Sequence, residues 1–232
     1  MRSDKWERLG AASGLMFFAL VVVLFFLASD QPSLGASASE VFRYQVDNQS
    51  SIQVYLTVWS LAVFPLLWFL GTLIGVLRRA DRGTSPLPTI AAVGVALGLS
   101  GIFLTIILEA AAAFRPDAYG PELTRLLWDM SYLFIPVFGV GLAAFLAATA
   151  ALIVRTKALP GWLGWLTLIP VAANLVYVGQ LSKNDGYFLG EPGFPAFVLW
   201  IPLVSVLLLR AVLPRPATQS SPVPGMEKTL AS

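Results

Sequence analysis

Six long apolar stretches divide the chain. They cover about residues 10–29, 52–77, 89–114 and 121–154, then a stretch from the turn at Pro160 to about Ser182, and finally 194–213. A transmembrane helix needs about 20 predominantly apolar residues, so each stretch is long enough to span a bilayer. Short segments rich in Gly, Pro and basic residues separate them. The pattern predicts an all-α bundle of about six transmembrane helices, forming one domain over residues 1–213.

Two polar segments complete the predicted architecture. Between the first two spans, Ser37 and Glu40 have the spacing of a capping box and precede Val41. This spacing predicts a short amphipathic helix in the first outer loop. After the sixth span, prolines recur in a polar segment with few apolar residues. Such a segment cannot form a core of its own, so residues 214–232 are predicted to be a disordered cytoplasmic tail.

The first apolar stretch has two interpretations, a retained span or a cleaved signal peptide. The sequence Ala36-Ser37-Ala38 resembles a small-residue cleavage site. However, Asp4 and Glu7 dilute the basic start, and Ala38 lies well beyond the apolar run. We therefore expect the mature protein to keep this segment as its first span.

The orientation follows from the distribution of basic residues. With the N-terminus inside, inner segments hold eleven of the 15 Lys and Arg residues, while nine of the 13 Asp and Glu residues fall outside. Cytoplasmic loops of membrane proteins carry an excess of Lys and Arg. The asymmetry predicts a multi-pass protein of the cell membrane with both termini in the cytoplasm.

Composition excludes several functions. The chain is 57% hydrophobic and 12% charged, and it contains neither Cys nor His. Disulfides, thiolate metal sites, Ser-His hydrolysis and His-ligated haem are therefore excluded from the chain itself. We expect no cofactor and no metal. The lipid bilayer is the expected partner, and the slightly basic balance is no evidence for nucleic-acid binding.

Small residues recur within the predicted spans. Gly71 and Gly75 are four residues apart, as are Gly94 and Gly98, and the fourth span is rich in Gly and Ala. Small residues let helix backbones approach closely. We interpret these faces mainly as packing within one bundle. The alternative is a homo- or hetero-oligomer that assembles through one of them.

Polar residues in the outer halves of three consecutive spans form the candidate ligand pocket. They are Glu109, Asp129, Tyr132, Asn174, Tyr177 and Gln180. Ionisable residues in a span are costly and commonly mark a site, and consecutive spans are usually neighbours. The alternative for the acids is a rim carboxylate that is solvated or paired with Arg125. For the amides and the tyrosine hydroxyls, the alternative is ordinary hydrogen bonding between helices.

The order of features resembles a set of small polytopic membrane proteins of unknown function, of actinobacterial type. The motifs that carry this resemblance are Trp68-Phe69-Leu70, Leu77-Arg78-Arg79, Leu126-x-x-Asp129 and Arg155-Thr156-x-x-Leu159-Pro160-x-Trp162-Leu163-Gly164-Trp165. The resemblance implies a topology and no catalytic residues.

Three functions remain open at this level. The leading hypothesis is a non-enzymatic accessory or sensing component with a small outward-facing polar pocket. The first alternative is a small transporter or channel subunit for a cation or small solute. The second is a lipid-modifying membrane enzyme that uses Glu109 and Asp129. Conduction requires a polar path through the inner half of the bundle, where the sequence offers mainly isolated residues such as Thr72 and Thr149.

Overall fold

The computed structural model describes residues 2–27, 31–33, 35–176 and 192–212. Within these ranges the chain forms α-helices and no strand, which confirms the predicted all-α class. The helices are α1 (Arg2–Leu27), α2 (Ala38–Asp47), α3 (Gln49–Asp81), α4 (Leu87–Phe114), α5 (Pro116–Leu133), α6 (Ile135–Thr156), α7 (Gly161–Leu166), α8 (Leu168–Val176) and α9 (Gly193–Val212).

Five helical segments are long and apolar enough to cross a bilayer, which indicates an integral membrane protein. They are Lys5–Leu27, Gln49–Asp81, Leu87–Phe114, Pro116–Thr156 and Gly193–Ala211. These correspond to the first four predicted spans and the sixth. The predicted fifth span is represented by the shorter apolar pair α7 and α8, Gly161–Val176. Its predicted continuation and the predicted tail lie outside the described residues, so the count of six spans stays a prediction.

The predicted fourth span consists of two helices. Helix α5 already begins at Pro116, inside the segment predicted as a loop, and continues across Gly120, whose φ of 71° breaks its helical geometry. A second break falls at Phe134, between α5 and α6. Pro136 explains this break, because it has no N–H to donate to Tyr132 and its ring would clash with that carbonyl. Pro136 thus lies at the start of α6 and separates it from α5.

The predicted capping box is also confirmed. The Ser37 side chain accepts a hydrogen bond from the Glu40 backbone N–H, and the Glu40 carboxylate accepts one from the Ser37 backbone N–H at 2.7 Å. This backbone bond, together with the bond from the Ser37 hydroxyl, lowers the pKa of Glu40 below its usual value. Helix α2 buries Val41 against the rest of the bundle.

Helix α1 is part of the packed core. Phe17 and Ala11 are completely buried, and α1 packs on α3 and α9. A side chain at Gly14 would meet the Phe69 ring at 2.7 Å, which shows how closely α1 approaches α3. Loss of α1 would uncover this face of the core. Retention of the first span stays a prediction.

The bundle has two chemically different ends. At one end, the α3–α4 turn meets the end of α6, because Arg155 donates to the Thr84 hydroxyl at 2.8 Å. Arg79 also pairs with Glu7 of α1 there, at 2.6 Å. We call this the basic end. At the far end, Gln49 at the start of α3 donates to the carbonyl of Ala113 near the end of α4, at 2.9 Å.

Candidate functional site

A cavity of about 400 Å³ lies in the far half of the bundle. It opens between α3, α4, the α5–α6 junction and the first turn of α9. Its walls are formed by Gln31, Tyr55, Trp59, Ile102, Thr105, Ile106, Glu109, Ser131, Tyr132, Ile135, Phe138 and Phe194. Pockets of 300–1,000 Å³ with mainly apolar walls and a few polar groups are typical small-molecule sites.

Aromatic rings make up much of the cavity wall. Tyr55 and Trp59 are one turn apart on α3, and the indole N–H of Trp59 donates to the Tyr55 hydroxyl at 2.8 Å. The Trp59 ring contacts Phe194 with ring centroids 5.3 Å apart, and Phe138 contacts Phe194 at 6.1 Å. Three helices that are distant in sequence thus bring these rings together. The sequence pattern does not single them out, although the Tyr55–Trp59 spacing places both on one helix face.

Glu109 is the acidic residue of the cavity wall. It also borders a much smaller neighbouring cavity that shares Gln31 and Tyr55. Among the described residues, no basic side chain lies within ion-pair distance of its carboxylate. Two neighbouring hydroxyls are already committed as donors, since Thr105 donates to the Ser131 carbonyl and Ser131 to the Trp128 carbonyl. The carboxylate is therefore the strongest acceptor on the cavity wall.

Tyr132 lines the same cavity, so the structure brings two of the predicted site residues together. Its hydroxyl lies 3.4 Å from the side-chain oxygen of Gln31, to which it donates. Its ring packs on the buried Trp128, with centroids 5.3 Å apart. Tyr132 thereby connects the cavity to the segment between α1 and α2.

Asp129 occupies a different position and does not belong to the described cavity lining. Arg125, one turn earlier on α5, donates to the Asp129 carboxylate at 2.8 Å. The same guanidinium donates to the Ala36 carbonyl. This is the geometry of the alternative in which Asp129 is a rim carboxylate paired with Arg125.

Asn174 also lies away from the cavity wall. It is completely buried, and its amide donates to the carbonyls of Pro170 at 2.8 Å and Gly193 at 3.1 Å. Because α8 packs between α6 and α9, Asn174 faces the start of α9 instead of α4. It fixes the first turn of α9, which carries the cavity residue Phe194. Tyr177 and Gln180 lie outside the described residues.

A packed aromatic cluster fills the bundle on the side of the cavity toward the basic end. Trp200 is buried, and its ring lies 6.4 Å from Phe69, 6.0 Å from Phe145 and 6.0 Å from Phe197. Its indole N–H donates to the Thr167 hydroxyl at 2.9 Å, at the junction of α7 and α8. The cluster is held by both packing and a buried hydrogen bond.

Within the part of the chain that the structure describes, no group of three acidic residues is arranged to hold a metal ion. The described cavity wall combines one carboxylate, that of Glu109, with several aromatic rings. Comparison with family models, with curated proteins and with solved structures finds no match to this chain.

Proposed function

We propose that this integral membrane protein binds a small organic cation in the Glu109 cavity and acts as a non-enzymatic sensing or accessory component. The observation that carries this proposal is a carboxylate without an ion-pair partner among the described residues, on a cavity wall rich in aromatic rings. The topological resemblance to small polytopic membrane proteins of unknown function remains part of the proposal.

The chemistry of the walls selects the ligand class. An ionised carboxylate only accepts hydrogen bonds, so a matching ligand group carries donors or positive charge. Aromatic faces such as those of Tyr, Trp and Phe attract organic cations, with about 0.5–2 kcal/mol for each favourable contact. The isoleucines of the wall match an apolar body on the same ligand. An amine or quaternary ammonium group on a small apolar skeleton satisfies all three features.

Binding without transport or catalysis is the function that the geometry favours. A transported solute would have to pass the cluster around Trp200, where Phe69, Phe145 and Phe197 are fully buried. A mechanism with paired carboxylates would need Asp129 beside Glu109, and Asp129 is engaged with Arg125 instead. Neither alternative has a comparable observation in its support.

The membrane orientation is part of the same proposal. We propose that the basic end faces the cytoplasm, so the cavity lies toward the outer surface. We also propose that α7 and α8 belong to a sixth crossing. Supporting this, Gly161 lies near the basic residue Arg210, while Asn174 contacts Gly193 at the start of α9.

Binding of benzyltrimethylammonium tests the proposed ligand class. It carries a quaternary ammonium on an aromatic skeleton, and benzyl alcohol is an uncharged probe of similar shape. We expect the purified full-length protein in detergent to bind the cation more tightly than the alcohol, measured by isothermal titration calorimetry. Glu109→Gln should lower the affinity for the cation about tenfold or more, because interaction with a charged partner contributes about 1.5–3 kcal/mol. The affinity for benzyl alcohol should change much less.

Asp129→Asn is the matched control. It removes one carboxylate from the neighbouring helix, outside the described cavity lining, and should leave the affinity for benzyltrimethylammonium unchanged. Equal losses in both variants would attribute the effect to overall charge and refute the site. Equal affinities for the cation and the alcohol would refute the ligand class.

A further inference from the structure

A second concave surface lies at the basic end, opposite the Glu109 cavity. It has a volume of about 680 Å³ and runs between the end of α6, the start of α7 and the last turns of α9. We call it the basic groove and define it by Val154, Lys157, Pro160, Trp165, Leu207 and Arg210. Both α6 and α9 belong to segments that are long and apolar enough to cross a bilayer. A groove at the ends of two such segments would adjoin the membrane surface.

Two cations flank this groove. Lys157 is the C-cap of α6, with a φ of 53°, and Arg210 lies in the last turn of α9. Both side chains are exposed, and within the described residues neither forms an ion pair. The described lining of the groove contains no acidic residue. Two acids of the basic end whose side chains the structure describes are committed elsewhere, Glu7 to Arg79 and Asp81 to the α3–α4 turn.

Apolar surface continues from the two cations along the helices. Trp165 is 67% exposed and Val154 is 40% exposed on the groove side of the bundle. Trp is enriched at the membrane–water interface, where its ring lies at the level of the lipid headgroups. A ligand of the basic groove therefore meets positive charge at one end and apolar side chains at the other. Free phosphate matches only the first of these features.

We propose that the basic groove binds the headgroup of an anionic phospholipid. Lys157 and Arg210 contact the phosphate, while the first part of an acyl chain lies along Val154, Leu207 and Trp165. Basic pockets between transmembrane helices bind anionic headgroups by the same combination of charge and apolar contact. This site is independent of the proposed cation cavity, because the two share no residue and lie at opposite ends.

Phosphatidylglycerol is the probe, and phosphatidylcholine, whose zwitterionic headgroup has no net charge, is the comparison. The full chain is purified in detergent, and native mass spectrometry measures the affinity for each lipid. We expect phosphatidylglycerol to bind more tightly to the wild type. The double variant Lys157→Gln/Arg210→Gln should weaken the binding of phosphatidylglycerol about 25-fold, since each cation near an anionic surface contributes about fivefold. The affinity for phosphatidylcholine should fall much less, because its ammonium group offsets the charge of its phosphate.

Arg82→Gln/Arg78→Gln is the matched double variant. Arg82 is the C-cap of α3 at the same end, with a φ of 54°, and Arg78 lies in the last turn of that helix. The control therefore removes the same charge from equivalent helix positions outside the described groove lining, and should keep phosphatidylglycerol affinity within about twofold of the wild type. Equal losses in the two double variants would overturn the site in favour of diffuse attraction. Displacement of the lipid by millimolar inorganic phosphate would overturn the phospholipid as ligand.

Discussion

Two acidic side chains in the bundle have opposite environments. The Asp81 side chain is buried at the basic end and accepts hydrogen bonds from the Ser85 backbone N–H at 2.9 Å and the Ser85 hydroxyl at 2.9 Å. The Thr84 hydroxyl adds a longer bond at 3.3 Å. Glu109 is partly buried and has no such donors among the described residues. A satisfied buried carboxylate stabilises a turn, whereas one that faces a cavity is available to a ligand.

Replacing Asp81 by Ala tests this structural role. The substitution leaves the Ser85 backbone N–H and the Ser85 hydroxyl without their acceptor, while Thr84 keeps its bond to the Asp81 backbone carbonyl. We expect a loss of about 1.5–3 kcal/mol in the free energy of unfolding. Titration of the purified protein with sodium dodecyl sulfate measures the free energy of unfolding of each variant. Asp47→Ala is the control, because Asp47 is exposed at the end of α2. Equal stability of the two variants would contradict the structural role of Asp81.

The sequence identifies Glu109 but not the role of Asp81. Glu109 interrupts an otherwise apolar stretch. Because an ionisable group within a span costs free energy, the sequence alone marks Glu109 as a candidate site residue. Asp81 follows two arginines in a polar turn and looks like any solvated acid until the fold buries it. The depth of Asp129 in the predicted span makes it a candidate, but depth does not reveal whether Arg125 turns toward it.

At the scale of helices, small residues determine which two helices pack most closely. Gly94 and Gly101 of α4 face α6, and a Cβ atom at either position would lie 2.6 Å from a backbone nitrogen, that of Phe145 or Phe138. A Cβ atom added at Gly71 of α3 would have no neighbour within 4 Å among the described residues. The sequence pattern is similar at both sites, yet of these two sets the α4 glycines, and not Gly71, mediate contact within the described bundle. Oligomerisation through Gly71 and Gly75 stays a prediction.

Substitution of these glycines by Ala separates the two environments. In a helix, Ala is favoured over Gly by about 1 kcal/mol, so Gly71→Ala should be neutral or stabilising. At Gly94, the added methyl group forces α4 and α6 apart, and overpacking costs about 1–3 kcal/mol. We expect Gly94→Ala to lower the thermal unfolding midpoint relative to Gly71→Ala. A midpoint at or above that of Gly71→Ala would show that α4 and α6 are not in close contact at Gly94.

The helices themselves are largely predictable, and their irregularities are less so. Continuous apolar runs identify spans because a bilayer requires uninterrupted hydrophobic surface. Helix α3 extends past its apolar run in both directions, since a helix can continue into polar surroundings without leaving that signal. The sequence pattern merges helix α5 with the fourth span because its apolar residues run on into α6. The cavity combines α9 with α3 and α4, and this pairing of the last helix with two early ones cannot be derived from consecutive spans alone.

At the scale of the whole molecule, charge and cavity chemistry divide the protein into two halves. The turns between α3 and α4 and between α6 and α7 carry arginines and a lysine that cluster at one end, where Arg155 contacts Thr84. The Glu109 carboxylate and its aromatic wall lie in the other half. With the basic end in the cytoplasm, as the positive-inside rule predicts, the cavity would draw its ligand from outside the cell.

Single-cysteine variants test this orientation, because the native sequence contains no cysteine. Pro86→Cys marks the exposed α3–α4 turn at the basic end, and Glu122→Cys marks an exposed position on α5. Ser232→Cys marks the C-terminus of the sequence. With a membrane-impermeant maleimide on intact cells, we expect labelling at position 122 alone, and labelling at 86 and 232 only after permeabilisation.

The three positions distinguish orientation from span count. Labelling at 86 but not 122 in intact cells would invert the protein and place the Glu109 cavity toward the cytoplasm, which contradicts an outward-facing sensor. Labelling at both 122 and 232 would keep the orientation but leave an odd number of crossings. The segment containing α7 and α8 would then fail to cross the bilayer, and α9 would have to run opposite to its proposed direction. Lys157 and Arg210 would then lie on opposite sides of the membrane and could not line one groove. This one outcome would therefore also contradict the proposed lipid site.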